Sequence, residues 1–304
     1  MAEQSGISWT DATFNPWIGC TKVGPGCDNC YAEAREDKRL HRVQWGPGQP
    51  RRRTTTTWRD PVKWNANHAA FFAQHGRRQR VFCASLADVF DNEVDPAWRR
   101  DLFQLIADTP RLDWMILTKR IGNAASMINE ASRAVYKGAG EPTWPWENVW
   151  LGATIVNREE MLRDAGKLKA VQASVRFWSV EPMLECLGEV PSDLLPEWVI
   201  VGGESGAKAR PFHVDWARSI VKQCQAAGVP VHVKQLGAQP RGWCAGMVHV
   251  EPKEREGWNC DFYEAHEQGG ECPGRCAAMV DRAGGDPSEW PEDLRVQQWP
   301  QGVM

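Results

Sequence analysis

From Arg80 onward, short apolar runs alternate with longer helical stretches, and this rhythm restricts the fold more than any other feature of the chain. The runs are 81–84, 114–117, 149–153, 175–178, 198–201 and 229–233. Each is too short for a helix and rich in β-branched and aromatic residues, the pattern of strands covered on both faces. Between them, Asp95-Pro96 opens one helix with a capping residue and a proline at the first position, and Trp98, Leu102, Leu105 and Ile106 form its apolar stripe. Asp215 is the predicted cap of another, with Trp216, Ile220, Val221 and Cys224 inward and Gly228 at its end. Cys83 and Cys224 therefore read as core residues. With a lead-in strand inside residues 1–19 the count is seven. Strand–helix alternation of this kind predicts an α/β fold with a parallel sheet: a partial or complete (β/α) TIM-type barrel, or a doubly wound open sheet, which shares the local pattern.

In parallel α/β folds the chemistry gathers at the C-terminal ends of the strands. Those positions hold Ser85 and Asp88, then Thr118, Lys119 and Arg120, then Thr154 and Asn157. Ser179 and Glu181 follow, then Gly202, Gly203 and Glu204, and finally Lys234 and Gln235. Helix capping accounts for Ser85 or Thr154 taken singly. It does not account for Lys119, Glu181, Glu204 and Lys234 together, because charges gathered at one rim are costly without a polar ligand. Lys119, Glu181 and Lys234 are the candidate catalytic residues. The pair Gly202-Gly203 lets backbone approach a ligand closely, and Glu204 suits a cationic amino group. Arg210 and His213 read either as anion binders or as surface residues.

Residues 19–31 read GCTKVGPGCDNCY and place three thiols in a C-x6-C-x2-C array on a loop that Gly24, Pro25 and Gly26 turn. The two-residue gap lets Cys27 and Cys30 reach one centre, and Cys20 returns from the far side of the turn. Four thiolates close a structural zinc site, whereas three leave a position open, as on a [4Fe–4S] cluster held by three cysteines. The alternatives are zinc with His41 as fourth ligand, and unligated thiols. Tyr31 to Arg42 is predicted helical. The loop 43–61 carries Arg51, Arg52 and Arg53, either a solvated surface or a phosphate-binding strip.

Three cysteines on one loop, the last followed by Tyr31-Ala32-Glu33, resemble the cluster loop of radical S-adenosylmethionine (SAM) enzymes. The ending Cys27-Asp28-Asn29-Cys30-Tyr31-Ala32 resembles most the branch that includes spore photoproduct lyase, although the common spacing in these enzymes is C-x3-C-x2-C. The phrases Asn15-Pro16-Trp17-Ile18-Gly19-Cys20, Leu117-Thr118-Lys119-Arg120, Val180-Glu181-Pro182 and the stretch from Val201 to Pro211 resemble a phage-borne three-cysteine family usually labelled a domain of unknown function. The resemblance runs to about Gly237, so residues 1–237 are expected to form a radical-SAM-like barrel. It implies a [4Fe–4S] cluster on Cys20, Cys27 and Cys30 and SAM bound at the open iron through its amino and carboxylate groups. It also implies cleavage of SAM to a 5′-deoxyadenosyl radical and an electron donor such as flavodoxin or ferredoxin. Tyr31, Ser85, Asp88, Thr154, Asn157, Ser179, Gly202, Gly203 and Glu204 are then the cofactor-binding candidates; in radical SAM enzymes the Gly-Gly-Glu-like stretch follows an earlier strand.

The same relatives point to a nucleobase of DNA, or a nucleotide, as substrate, with a hypermodified pyrimidine as one candidate. Arg35, Arg39, Arg42, Arg51, Arg52, Arg53 and Arg59 would hold phosphates, and a base in a duplex would be flipped out to reach a barrel mouth. A peptide or small metabolite is the other substrate reading. A non-catalytic zinc- or cluster-containing nucleic-acid-binding module is the rival to an enzyme. Net charge of −3 excludes a globally basic nucleic-acid binder but not a local patch.

After Gly237 the rhythm stops, and residues 238–304 read as an irregular Cys-rich extension. Cys244, Cys260, Cys272 and Cys276, with His249 and His266 nearby, read as an auxiliary iron–sulfur cluster, a structural zinc or unligated thiols. Residues 282–304 read as a loosely packed end. No apolar run reaches membrane-spanning length and residues 1–5 lack a signal-peptide pattern, so the expectation is a cytoplasmic protein with no membrane partner. The ten cysteines are then reduced, and the seventeen tryptophans read as core filling.

Overall fold

The computed structural model describes residues 5–135, 144–242 and 279–300. Its seven principal strands are β1 (Ala12–Phe14), β2 (Gln79–Cys83), β3 (Leu112–Thr118), β4 (Val149–Thr154), β5 (Val175–Val180), β6 (Trp198–Gly202) and β7 (Val231–Gln235). They join side by side in chain order, each parallel to its neighbours. An order without reversal means that successive crossovers turn the same way, and the sheet curls into an open half-barrel. A doubly wound sheet needs a point where the order reverses; this one has none. All six predicted runs and the lead-in strand are present. Among the described residues β1 and β7 do not hydrogen-bond to each other.

Alternation along the strands separates two cores. Val81, Cys83, Trp114, Ile116, Leu151, Trp178, Val180, Val199, Val201, Val231 and Val233 join the apolar faces of helices Pro96–Asp108, Ile121–Ala134, Arg158–Ala170 and Val214–Ala226. Asp95 caps the first of these helices as predicted, accepting from Ala97 N at 2.8 Å. Asp215 does not cap the last: that helix starts at Val214, one residue earlier, and the Asp215 carboxylate pairs with Arg218 at 3.0 Å. The inward faces supply Phe82, Met115, Trp150, Phe177, Trp198 and Ile200, which with Trp9 fill the lower barrel. Trp9 and Phe82 have ring centroids 4.7 Å apart, and Trp150 meets Trp198 edge-on at 6.0 Å. Gly152 makes this plug fit, since a Cβ there would lie 2.3 Å from the ring of Phe177, its partner in register on β5.

The described part of the last segment, residues 282–300, is packed, contrary to the expectation of a loose segment. Residues 296–298 run along the free edge of β7, with Val233 N donating to Val296 O and Gln298 N to Val231 O, each at 2.8 Å. Trp290 and Leu294 are fully buried, and Trp198 Nε1 donates to Gln298 O at 2.8 Å. No helix among the described residues is long and apolar enough to cross a membrane.

Arg80, Asp113 and His232 are buried at the floor of the barrel, where Arg80 lies over the rings of Trp150 and Trp299 at 5.5 and 5.3 Å. Burial, with Arg80 and Lys234 nearby, lowers the His232 pKa to about 4. Burial raises that of Asp113 to about 6. As pH falls from 6.5 to 4, the unfolded chain protonates the histidine and the folded one does not, so acid destabilises the fold through His232. As pH falls from 6 to 3.8 the folded chain protonates Asp113 first, so acid stabilises through that group. The two slopes nearly cancel. In Asp113→Asn the histidine slope is exposed, and urea titrations are expected to show a stability loss from pH 6.5 to 4 larger than the parent's by on the order of 3 kcal/mol. Parallel pH profiles for parent and variant would refute this pairing.

Candidate functional site

The cysteine loop roofs the C-terminal mouth of the half-barrel. Gly19 N donates to Leu86 O beyond β2 at 3.1 Å, and the Tyr31 hydroxyl donates to Ser85 O. Arg120, just past β3, donates to Thr21 O at 2.7 Å. Pro25–Cys27 forms a 3-10 turn that lies flush on the barrel: a Cβ on Gly24 would sit 2.8 Å from Glu160 Oε1, and one on Gly26 2.8 Å from Val156 Cγ1. The G-P-G sequence is thus explained by close approach as well as by turning. Cys30 then sits at the N-terminal boundary of the short helix Tyr31–Glu33, which continues as the π-helix Ala34–Arg39 rather than as the regular helix to Arg42 predicted from composition.

Below this roof lies a cavity of about 890 Å³, at the upper end of what small-molecule sites need. Cys20, Cys27 and Cys30 all line it. Cys20 receives a hydrogen bond from Arg120 Nη1 at 3.3 Å. Burial and the Asp88 charge push the Cys20 thiol up to about 11, against the opposing pull of Arg120. Asp88 organises this corner: it accepts from Phe90 N at 2.9 Å, Thr118 Oγ1 at 2.7 Å, Lys119 N at 3.0 Å and Arg120 at 3.3 Å. Among the described residues no three His, Cys, Asp or Glu side chains converge tightly enough for one metal ion. His41 is exposed and does not line the cavity.

Most of the strand-end residues picked out from sequence meet here. Lys119, Glu181 and Lys234 line the cavity, and Lys234 Nζ pairs directly with Glu181 Oε1. Tyr31, Ser85, Thr154 and Ser179 line it too, and the buried Thr154 Oγ1 has no hydrogen-bond partner. Ser85 is engaged by Asn15, whose Nδ2 donates to Ser85 Oγ at 3.0 Å. Asn157 and Gly202 stay outside the lining: Asn157 caps helix Arg158–Ala170, accepting from Glu160 N at 2.8 Å. Gly203 does line the cavity, yet its lack of a side chain serves packing, since a Cβ would fall 2.3 Å from Leu236 O.

Glu204 is fully engaged. Its carboxylate accepts from Arg210 Nη2 at 2.8 Å, Arg210 Nε at 3.0 Å and Asn29 Nδ2 at 2.9 Å. Burial opposes its charge, but the bonds from Arg210 and Asn29 outweigh it and hold the carboxyl below the usual range. Arg210 also reaches Asp28 Oδ2 and Pro25 O, each at 3.0 Å, and Asn29 donates to Lys208 O at 2.8 Å. Both residues between Cys27 and Cys30 are therefore clasped to the segment after β6. Glu204→Ala is expected to speed amide hydrogen exchange across residues 24–30 while leaving helix Val214–Ala226 as protected as before. Unchanged exchange in that loop would rule out the clasp.

Arg51 does not belong to a phosphate-binding strip. Its side chain is 1% exposed and bonds Asp91 Oδ2 at 2.7–2.8 Å, Thr21 Oγ1 at 2.8 Å and Gln49 O at 2.8 Å. Arg53 pairs with Asp101 at 2.7 Å and lies over Trp58, which leaves Arg52 as the exposed member of the three. Cys244, Cys260, Cys272 and Cys276 lie outside the described residues. Sequence reasoning named Arg120 among the strand-end positions without giving it a role, and left out Asn15, Asn29 and Glu36, which gave no periodic signal.

A family model described as "Protein of unknown function (DUF5131)" matches residues 4–269. Neither a search of curated proteins nor one of solved structures returned a match.

Proposed function

The chain belongs to the DUF5131 family of proteins of unknown function, and within that family we propose that it acts as a radical SAM enzyme on a nucleobase. One observation carries the reading: three thiols from one loop hang over the mouth of a parallel half-barrel, inside a single cavity rimmed by strand-end charges. The donor set suits a [4Fe–4S] cluster on Cys20, Cys27 and Cys30, in which each thiolate binds a different iron and no common point of convergence is needed. A cluster held by these three cysteines would supply the one electron that reductive cleavage of SAM to methionine and a 5′-deoxyadenosyl radical requires.

The chain's own residues supply the setting. Arg120, fixed by Asp88, places a positive charge 3.3 Å from Cys20 Sγ and offsets part of the burial and Asp88 charge that hold the thiol protonated. Lys119 and the Glu181–Lys234 pair offer charge and exchangeable protons to a substrate in the mouth. The aromatic plug closes the barrel from below, which shields a radical from solvent on that side. Arg39, Arg52 and Arg59 are exposed and are left to hold phosphates. Anaerobically purified protein is expected to be brown and to bleach with dithionite; a colourless, zinc-containing protein would overturn the cluster. DNA binding across a salt series is expected to fall steeply, and less steeply once Arg39, Arg52 and Arg59 are alanine. Absence of DNA binding at low salt in a cluster-loaded sample would remove the nucleobase and leave a peptide or small metabolite.

A further inference from the structure

Beside the cysteine loop the cavity has an apolar wall that belongs to neither core. Ile18, Ala32 and Leu86 are buried there, with Cys30, Val43 and the half-buried Trp45 packed against them. All of these except Val43 line the cavity. Trp45 N donates to Asp37 Oδ2 at 2.8 Å and Gly46 N to Cys20 O at 3.1 Å, which ties the indole's segment to the π-helix and to the cysteine loop. Tyr31 adds a second ring. It is 58% exposed, the only exposed large apolar side chain among the described residues that lines the cavity. Its hydroxyl is held by Ser85 O, next to Leu86. An aromatic side chain anchored at its polar end presents its ring face with little further loss of entropy.

Two cations share this part of the cavity. Arg35 and Arg42 both line it, with side chains 59% and 49% exposed. Glu36, 1% exposed, lies 3.3 Å from Arg35 Nε and 3.5 Å from Arg42 Nη1. One buried carboxylate shared by two guanidinium groups positions them and leaves a net positive charge. The π turn makes the sharing possible: Leu40 N donates to Arg35 O at 3.0 Å and Arg42 N to Glu36 O at 2.8 Å, which brings Arg42 back to the same carboxylate.

We propose, resting on the nucleobase reading above, that this lobe is a stacking subsite for unpaired DNA. A base lies against the rings of Trp45 and Tyr31, and a neighbouring phosphate falls to Arg35 and Arg42 in charge-assisted pairs. A plain anion leaves the aromatic wall uncovered, and a plain apolar ring leaves the arginines unused. A nucleotide within a single strand covers both. In a duplex each base face is covered by its neighbours and cannot meet an aromatic side chain, so the lobe selects a strand that is single or already opened. The subsite grips the strand beside Cys30 and takes no part in the chemical step.

The test is fluorescence anisotropy on the anaerobic, cluster-loaded full chain with three labelled ligands. They are an oligothymidylate, an abasic strand of equal length and charge, and the oligothymidylate annealed to its complement. The parent is expected to bind the oligothymidylate at least about fivefold more tightly than the abasic strand, and more tightly than the duplex. Trp45→Leu keeps apolar packing but removes the ring face, and is expected to lose that preference with its abasic affinity unchanged. Tyr31→Leu, at an exposed position, is expected to do the same and decides the matter should Trp45→Leu fold poorly. Arg42→Gln is expected to weaken both single strands equally and to flatten their log–log salt dependence by about 0.7. Equal binding of the oligothymidylate and the abasic strand by the parent, or a preference for the duplex, overturns the subsite and leaves DNA as the substrate. A preference that survives in both aromatic variants overturns it too. A parent that binds none of the three at low salt overturns the nucleobase reading together with the subsite.

Discussion

Changing any one of Cys20, Cys27 and Cys30 to alanine is expected to strip the anaerobically reconstituted protein of its cluster, with visible absorbance falling to that of the apoprotein. The three thiols line one cavity, and a cluster left with two cysteine ligands loses the anchoring that keeps a single iron distinct. The loss should be nearly complete for each variant, not graded, because the three ligands act as one unit. Cys186 is exposed and does not line the cavity, so Cys186→Ala should retain the full iron content and serves as the control. Full iron in Cys20→Ala would show that the six-residue gap had misassigned the first ligand.

Arg51→Ala is the second large effect, and it acts on the scaffold. The guanidinium of Arg51 ties together Asp91, Glu93, Thr21 and the carbonyls of Gly46 and Gln49, with its side chain 1% exposed. Removing it leaves Asp91, itself 2% exposed, with only Glu93 N at 3.1 Å and Arg120 at 3.9 Å, and breaking such a buried pair costs about 3–5 kcal/mol. Denaturant titration should show that loss, with the transition midpoint moving accordingly. Arg52→Ala, one residue away and exposed, should stay within about 0.5 kcal/mol of the parent. Equal stability in the two variants would reduce Arg51 to a surface cation.

Arg51 also marks where the sequence stops being legible. Three consecutive arginines in a Gly-Pro-rich loop look solvent-facing, and nothing local announces that the first will meet Asp91 forty positions away. The strands and the outer helix stripes were readable because period-two and helical patterns are local consequences of burial. Chain order of the strands was not readable, since a barrel and a doubly wound sheet use the same βα unit. The strand-end rule brought Lys119, Thr154, Ser179, Glu181 and Lys234 to one cavity, yet it also picked Asn157, which turned out to cap a helix. Gly203 was noticed for the right property and the wrong partner: the backbone that approaches it is Leu236, not a ligand. Tryptophan content read as core filling, and Trp150 and Trp198 are buried in the barrel interior as that reading requires.

The clasp across the mouth has a consequence for how the chain matures. Asn29 meets Glu204 and Asp28 meets Arg210, contacts spanning 175 and 182 residues of sequence. Contacts so distant in sequence form late, after the intervening strands have assembled. A nascent chain therefore exposes its three thiols long before anything holds Cys27 and Cys30 in place. On the cluster reading proposed above, the folded barrel would gate metallation, because the loop is clasped only once the segment after β6 has been made and docked. Iron delivered earlier would meet three thiols on an unclasped loop and compete with their oxidation. Delivered afterwards, it would meet the clasped loop, so on that reading the timing of assembly favours insertion into finished protein.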